Sequence, residues 1–202
     1  MKKISILLLY MLWIGELSAQ DQPMQQAFAN SYSLEKAGNY IGAAQAINNV
    51  YNAQSYECNL RLGYLKYMSG VYSESGGYYQ KAIDLMPYAI EPKLGKVLPL
   101  AALGKWDDIL ALYVAILKID PKNSSVNYKL GYIYYTRKQY TLAYKCFEKS
   151  VNLYPFDYDA LLMFAWTNYR LGKLKEAKLL FYKVLLASPS DKSALEGLSL
   201  IK

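Results

Sequence analysis

The 202-residue sequence predicts an all-α protein, a solenoid of stacked helix-turn-helix units, and three observations support this prediction. Prolines recur every 34 residues, at Pro87, Pro121, Pro155 and Pro189. Between successive prolines lie two runs with apolar residues at helical spacing, separated by a short turn. The composition, 53% apolar and 19% charged, is typical of a globular chain. A fixed period of this length indicates similar units that bury their apolar faces against one another.

The first 19 residues are predicted to be a signal peptide. Lys2 and Lys3 precede an apolar run over residues 4–14, which is shorter than the roughly 20 residues that a membrane span needs. Ala19 offers a small residue for cleavage, and no cysteine follows the run as a lipoprotein anchor would require. An uncleaved anchor helix is the alternative. We therefore expect an exported chain, in the periplasm or cell envelope, with secretion as a second location.

Further columns of residues repeat in the register of the prolines. The fourth repeat of the period shows them best, with Leu130, Gly131, Tyr134, Tyr140, Ala143, Phe147 and Pro155. This pattern resembles the tetratricopeptide repeat, and the resemblance implies a right-handed α-solenoid. Small residues at Gly131 and Ala143 are expected to let the two helices of a repeat approach closely. In the third repeat, Val97 and Ile109 replace both small residues.

The register predicts a repeat domain over residues 20–202. Its five repeats cover residues 24–55, 56–89, 90–123, 124–157 and 158–191. A C-terminal capping helix over residues 192–201 follows, with Ser190 or Asp191 as its N-cap. We expect its Leu195, Leu198 and Ile201 to form one stripe that covers the last repeat.

Two further features depart from the repeat pattern. Pro99 lies inside a predicted helix and is expected to kink it, changing the local curvature of the solenoid. Gly76 and Gly77 weaken the second helix of their repeat, since each interior glycine costs about 1 kcal/mol relative to alanine.

The resemblance implies that the first helices of successive repeats line a concave groove, with the fifth, ninth and twelfth positions pointing into it. Aromatic residues occupy both the ninth and the twelfth positions in three repeats, three residues apart on one helix face. The candidate binding residues, which we call the tyrosine stripe, are Tyr64, Tyr67, Tyr128, Lys129, Tyr132, Tyr135, Trp166, Tyr169 and Arg170. Arg61 is expected near the edge of the stripe. The alternative is that a register shift of one residue makes these aromatic residues part of the core.

An aromatic groove with interspersed cations suits an extended peptide with apolar and acidic side chains. The charge distribution also favours acidic ligands. Residues 118–202 carry 14 basic and 7 acidic side chains, whereas residues 20–117 carry 7 basic and 8 acidic ones. We expect a protein or peptide partner, with an acidic one favoured, and no nucleic acid, which exported proteins rarely meet. No later apolar run is long enough for an integral membrane protein. A carboxylate clamp is disfavoured because Tyr132 and Trp166 stand where that subtype uses asparagine.

The sequence predicts no enzyme, no cofactor and no metal site. It has no histidine, and its two cysteines, Cys58 and Cys146, are expected to be buried free thiols. The acidic pairs at residues 107–108 and 157–159 are interpreted as helix-start signals. Two other functions remain open. One is a glycan-binding accessory module, although only Asp159 and Asn127 could bind sugar hydroxyls, and the other is a structural subunit of an envelope complex.

Overall fold

A computed structural model describes residues 22–201, and every regular element among them is a helix, as predicted. The chain divides into two compact units, one ending at Trp106 and the other beginning at Asp107. Helix α1 covers residues 22–36. The other helices are α2 (Tyr40–Asn48), α3 (Tyr56–Met68), α4 (Tyr72–Leu85), α5 (Glu91–Ala102), α6 (Trp106–Ile119), α7 (Ser124–Thr136), α8 (Tyr140–Leu153), α9 (Tyr158–Arg170), α10 (Leu174–Ala187) and α11 (Lys192–Ser199). Within the units, consecutive helices pack as pairs, with α3 on α4, α7 on α8 and α9 on α10.

Side-chain caps fix where five of these helices begin. The side-chain oxygens of Asn39, Ser55, Asn123, Asp157 and Asp191 each accept a hydrogen bond from the backbone N–H three residues later, at 2.7–3.1 Å. Because the first N–H groups of a helix have no partner inside it, such a cap stabilises the start by about 1 kcal/mol. Of the two predicted caps for the last helix, Asp191 is the one used.

The turn between the two helices of a repeat uses left-handed backbone, which explains its glycine column. Gly70, Gly104 and Gly172 have φ values of 77°, 68° and 75°. Glycine adopts this region without the steric cost that a Cβ atom imposes. Lys138 takes the same place in the fourth repeat with a φ of 59°, so this turn carries a strained residue.

The close approach expected at the small residues is confirmed in both units. A Cβ atom added to Gly131 would lie 2.9 Å from Cε1 of Phe147, a buried ring of the paired helix. In the other unit, a Cβ atom on Gly63 would lie 2.9 Å from the ring of Tyr79. Side chains at these two positions would overlap the rings that fill the space between paired helices.

Each unit has its own apolar core and one buried cysteine. Cys58 packs with Leu62 and Leu65 in the first unit, and Phe181 and Leu161 lie in the main core of the second. Cys146 is also buried, and burial raises the pKa of its thiol to about 11. Both cysteines are free and buried, as predicted.

A polar column that the sequence analysis did not identify fixes the loop before three of the first helices. Asn59, Lys93 and Asn127 lie 34 residues apart, and each donates to the main-chain carbonyls six and four residues before it. Lys93 is only 5% exposed, and burial lowers the pKa of its ammonium group. The amide of asparagine and the ammonium of lysine therefore serve as equivalent donors to the same loop.

The face that α11 buries differs from the prediction. Ala194 and Ile201 are buried, and Leu198 packs against the same core, but Leu195 is 48% exposed. The predicted stripe is therefore wrong at Leu195. The buried face runs through residues 194, 197, 198 and 201, because Phe181 lies so close to Gly197 that no Cβ atom would fit there.

Three other expectations concern Pro99, the signal peptide and membrane-spanning helices. Pro99 lies inside α5 and is buried, while the expected change of curvature stays a prediction. The predicted signal peptide over residues 1–19 lies outside the described residues. Within residues 22–201, no helix is long and apolar enough to span a bilayer.

Candidate functional site

Helix α7 carries four members of the tyrosine stripe, and these side chains differ in their solvent exposure and in their contacts with other rings. Tyr132 is 49% exposed, and Lys129 is exposed as well. Tyr128 packs on Phe147 with their ring centroids 5.8 Å apart, and burial raises the pKa of its hydroxyl. Tyr135 contacts the ring of Tyr140 at 5.4 Å. Tyr132 is thus an accessible aromatic side chain between two tyrosines that are partly committed to packing.

Helix α9 holds the other members of the stripe in the second unit in a fixed arrangement. Trp166 makes edge-to-face contacts with Phe181 at 5.1 Å and with Tyr169 at 5.7 Å. Its indole Nε1–H donates to Ser193 Oγ at 2.8 Å. Since two ring contacts and a hydrogen bond hold it in place, the indole is a rigid, partly buried surface.

Arg170 of α9 lies beside stripe residues of both α7 and α9. It is exposed, and its guanidinium lies 6.0 Å from the ring centroid of Tyr169. The nearby hydroxyl of Tyr135 raises the pKa of Arg170, so this cation of α9 lies beside a tyrosine of α7. An exposed cation therefore stands beside the aromatic residues of both helices, as the sequence suggested.

The first unit contains the two remaining members, Tyr64 and Tyr67, in different surroundings. Tyr67 contacts the ring of Tyr72 at 5.7 Å, the same contact that Tyr135 makes with Tyr140 two helix pairs later in sequence. Tyr64 lines a cavity of about 360 Å³. The side chains around this cavity are Phe28, Tyr32, Glu57, Leu60, Arg61, Tyr64, Tyr79 and Glu91, with Gly95.

Arg61 lies at the centre of a polar network in this cavity. It is only 7% exposed, stacks on Tyr32 at 4.0 Å, and pairs with Glu35 at 2.6 Å. Its Nε–H donates to Ser31, whereas its Nη2 has no hydrogen-bond partner. Burial raises the pKa of Glu35, but hydrogen bonds from Arg61 and Tyr64 outweigh this effect and hold the pKa below 4.5.

The sequence analysis expected Arg61 near the edge of the stripe and assigned no role to Ser31. The structure gives Ser31 a specific role instead, because a small hydroxyl residue leaves room for the guanidinium and accepts from it. A buried arginine is costly without such partners. The spacing of Glu35 and Arg61 in sequence gives no direct signal of this contact.

The acidic side chains singled out in the sequence have structural roles. Asp157 caps α9 through the backbone N–H of Ala160, and Asp107 lies in the first turn of α6, paired with Arg137 at 2.8 Å. Asn127 is fully buried and clamps its loop, so it is not available to a sugar. Among the described residues, no group of three or more acidic, cysteine or histidine side chains could hold a metal ion.

Comparison with known proteins supports the repeat architecture. A family model of the tetratricopeptide repeat matches residues 124–157, which are the residues of the fourth predicted repeat. A tetratricopeptide repeat protein from Parabacteroides merdae superimposes with a TM-score of 0.74 at 20% identity, covering 89% of this chain and 72% of that one.

Two further solved structures share the fold. MamA from Desulfovibrio magneticus gives a TM-score of 0.69 at 18% identity, covering 85% of this chain and 98% of that one. YrrB, a tetratricopeptide-repeat protein with an unusual peptide-binding site, gives 0.68 at 19% identity, with coverages of 78% and 82%.

One curated relative is much longer than this chain. The probable UDP-N-acetylglucosamine–peptide N-acetylglucosaminyltransferase SPINDLY from Arabidopsis thaliana is 34% identical over 102 residues. The match covers 50% of this chain but only 11% of that protein.

Proposed function

The chain is a tetratricopeptide-repeat protein, and from this premise we propose that it is an exported scaffold that binds a peptide segment or an envelope protein at the tyrosine-stripe residues of α7 and α9. The proposed partner is held by aromatic contacts on α7 and α9 and contains acidic side chains that meet Lys129 and Arg170. Nothing in the proposal requires a catalytic step.

The observation that carries the proposal is the contrast between Tyr132 and its neighbours. Tyr132 is half exposed. Trp166, which packs against the core of the second unit, is fixed by two ring contacts and a hydrogen bond. Rigid aromatic side chains lose little conformational entropy when a ligand covers them, so they serve well as binding anchors. The peptide-binding site of the structural neighbour YrrB supports a role of the same class.

The charge of the second unit favours an anionic partner. Arg170 is exposed and lies against two tyrosines of the stripe, where it can form a bidentate contact with a carboxylate. The cavity of the first unit is different, because Glu57 and Glu91 line it. We therefore assign the acidic part of the ligand to the second unit alone.

Affinity capture from the envelope of the producing cell tests this proposal. Wild type is compared with Tyr132→Ala, with Arg170→Glu and with the control Tyr154→Ala, whose tyrosine is 59% exposed and outside the stripe. We expect Tyr132→Ala to weaken capture of the specific partner at least tenfold and the control to retain it. Capture of the same partners by Tyr132→Ala combined with Arg170→Glu would contradict the proposal.

Export is a separate part of the proposal with its own test. The intact mass of the protein from its native envelope should correspond to a chain that begins at Gln20. A soluble cytoplasmic form that retains Met1 would refute export and leave the binding surface unaffected.

Comparison with SPINDLY gives no reason to assign glycosyl transfer to this chain, since the match covers 11% of that enzyme. Sugar recognition is likewise unsupported, because Asn127 is buried. A structural role in an envelope complex remains the second candidate, and it would use surfaces outside the stripe.

A further inference from the structure

Helix α10 is apolar on two opposite faces, although one face suffices for packing. Ala177, Phe181 and Val184 are buried in the core of the second unit. On the other side, Leu179 is 66% exposed and Leu186 is 74% exposed. Side chains at intervals of three, four and seven residues share one helix face, so residues 179, 182, 183 and 186 form a continuous second face.

This second face borders a groove of about 620 Å³. Tyr144 of α8 and Phe164 of α9 contribute the other side, with their ring centroids 5.0 Å apart. Lys173 lies over the ring of Tyr144 at 3.8 Å, so a cation borders the groove where α10 begins. The groove contains no member of the tyrosine stripe, and the sequence analysis did not predict it.

Cations outnumber carboxylates beside the groove. Lys175 and Lys183 lie one helical turn before and after Leu179, on its side of the helix. With Lys173 at the ring of Tyr144, three lysines border the groove, whereas Glu176, which lines it, is the one carboxylate on α10. An incoming apolar surface would therefore be favoured if acidic side chains flank it.

We propose that this groove binds an amphipathic helix of a partner protein that carries acidic residues beside its apolar stripe. The apolar residues of that helix cover Leu179, Tyr182 and Leu186, at the spacing by which helices recognise grooves. Its carboxylates pair with Lys175 and Lys183. This is a second docking site, independent of the tyrosine stripe.

A second copy of this chain fits the groove poorly. In a symmetric dimer the same patch of each copy faces the other. The lysines that border the groove, Lys173, Lys175 and Lys183, would then be concentrated at one interface from both copies, and Glu176 offsets only part of their charge. Like charges in that arrangement oppose association, whereas an acidic partner is attracted.

Two designed helical peptides test the proposal on the full chain. Both carry leucine at a 3-4-3 spacing; one has glutamate at all flanking positions, and its twin has lysine. Fluorescence anisotropy at 150 mM salt should show at least tenfold tighter binding of the glutamate peptide. Equal or tighter binding of the lysine twin, or no binding of either peptide, would overturn the proposal.

Variants of exposed residues locate the binding without disturbing the core. The double substitution Leu179→Ser with Leu186→Ser should weaken binding of the glutamate peptide at least tenfold. The double substitution Lys175→Glu with Lys183→Glu should make the lysine peptide bind more tightly than the glutamate peptide. Leu142→Ser, 42% exposed on α8, is the matched control and should bind like wild type. If sedimentation shows a dimer that the two serine substitutions dissociate, the occupant is a second copy and the proposal is wrong.

Discussion

The glycines of the first unit allow a direct test of how the aromatic column is packed. Gly77 of α4 has open space where a Cβ atom would lie, with nothing within 4 Å, whereas a Cβ atom on Gly63 of α3 would meet the ring of Tyr79. Each change to alanine gains about 1 kcal/mol of helix propensity. At Gly63 an overpacking cost of about 1–3 kcal/mol offsets this gain. The ring cannot withdraw, because it is 3% exposed and Gly95 approaches it even more closely than Gly63 does.

Gly77→Ala should therefore raise the free energy of unfolding of the first unit by about 1 kcal/mol. Gly63→Ala should leave it unchanged or lower it by up to about 2 kcal/mol. Repeat arrays need not unfold in one step, so native-state hydrogen exchange of amides in α3 and α4 is the suitable measurement. If Gly63→Ala stabilises these helices as much as Gly77→Ala does, the packing argument is refuted.

Three further predictions concern single polar residues. Lys93→Met should lower the free energy of unfolding by about 2 kcal/mol, since two loop carbonyls lose their donor, while Lys93→Asn should largely preserve it in urea melts. Because burial lowers the pKa of Lys93, the unfolded chain holds this proton more tightly, so the difference in the free energy of unfolding between wild type and Lys93→Met should grow as the pH increases toward 10.5. Lys138→Gly should raise the free energy of unfolding by about 1 kcal/mol in thermal melts, and Lys138→Ala should not, because only glycine relieves the positive φ. Glu35→Gln should be less stable than wild type at neutral pH, and the difference should vanish in acid titrations as the pH falls below the lowered pKa of Glu35.

The fold could be predicted because each repeat column reflects one local physical requirement. Glycines such as Gly70 mark left-handed turns, and Gly131 marks a close approach of two helices, so both are visible in one sequence. Lys93 could not be interpreted in the same way. Its role depends on the loop that precedes its helix, and a lysine in an asparagine column looks like an ordinary surface residue.

The candidate sites were less predictable, because exposure depends on how neighbouring helices pack. Spacing alone makes Tyr132 and Tyr135 equivalent, yet Tyr135 contacts Tyr140 and Tyr132 is half exposed. The groove beside α10 combines residues from three helices, and leucines such as Leu179 resemble core positions in sequence. Only the structure distinguishes an apolar residue that has a partner from one that does not.

The central claim is that the tyrosine stripe contacts a partner, and site-specific photo-cross-linking in the producing cell tests it most directly. A benzophenone amino acid replaces Tyr132 in one variant and Tyr88, which is 84% exposed outside the stripe, in another. Cross-links from position 132 to one defined partner, suppressed by Arg170→Glu and absent from position 88, are the predicted result. Equal labelling from both positions, or none from position 132, would contradict the account.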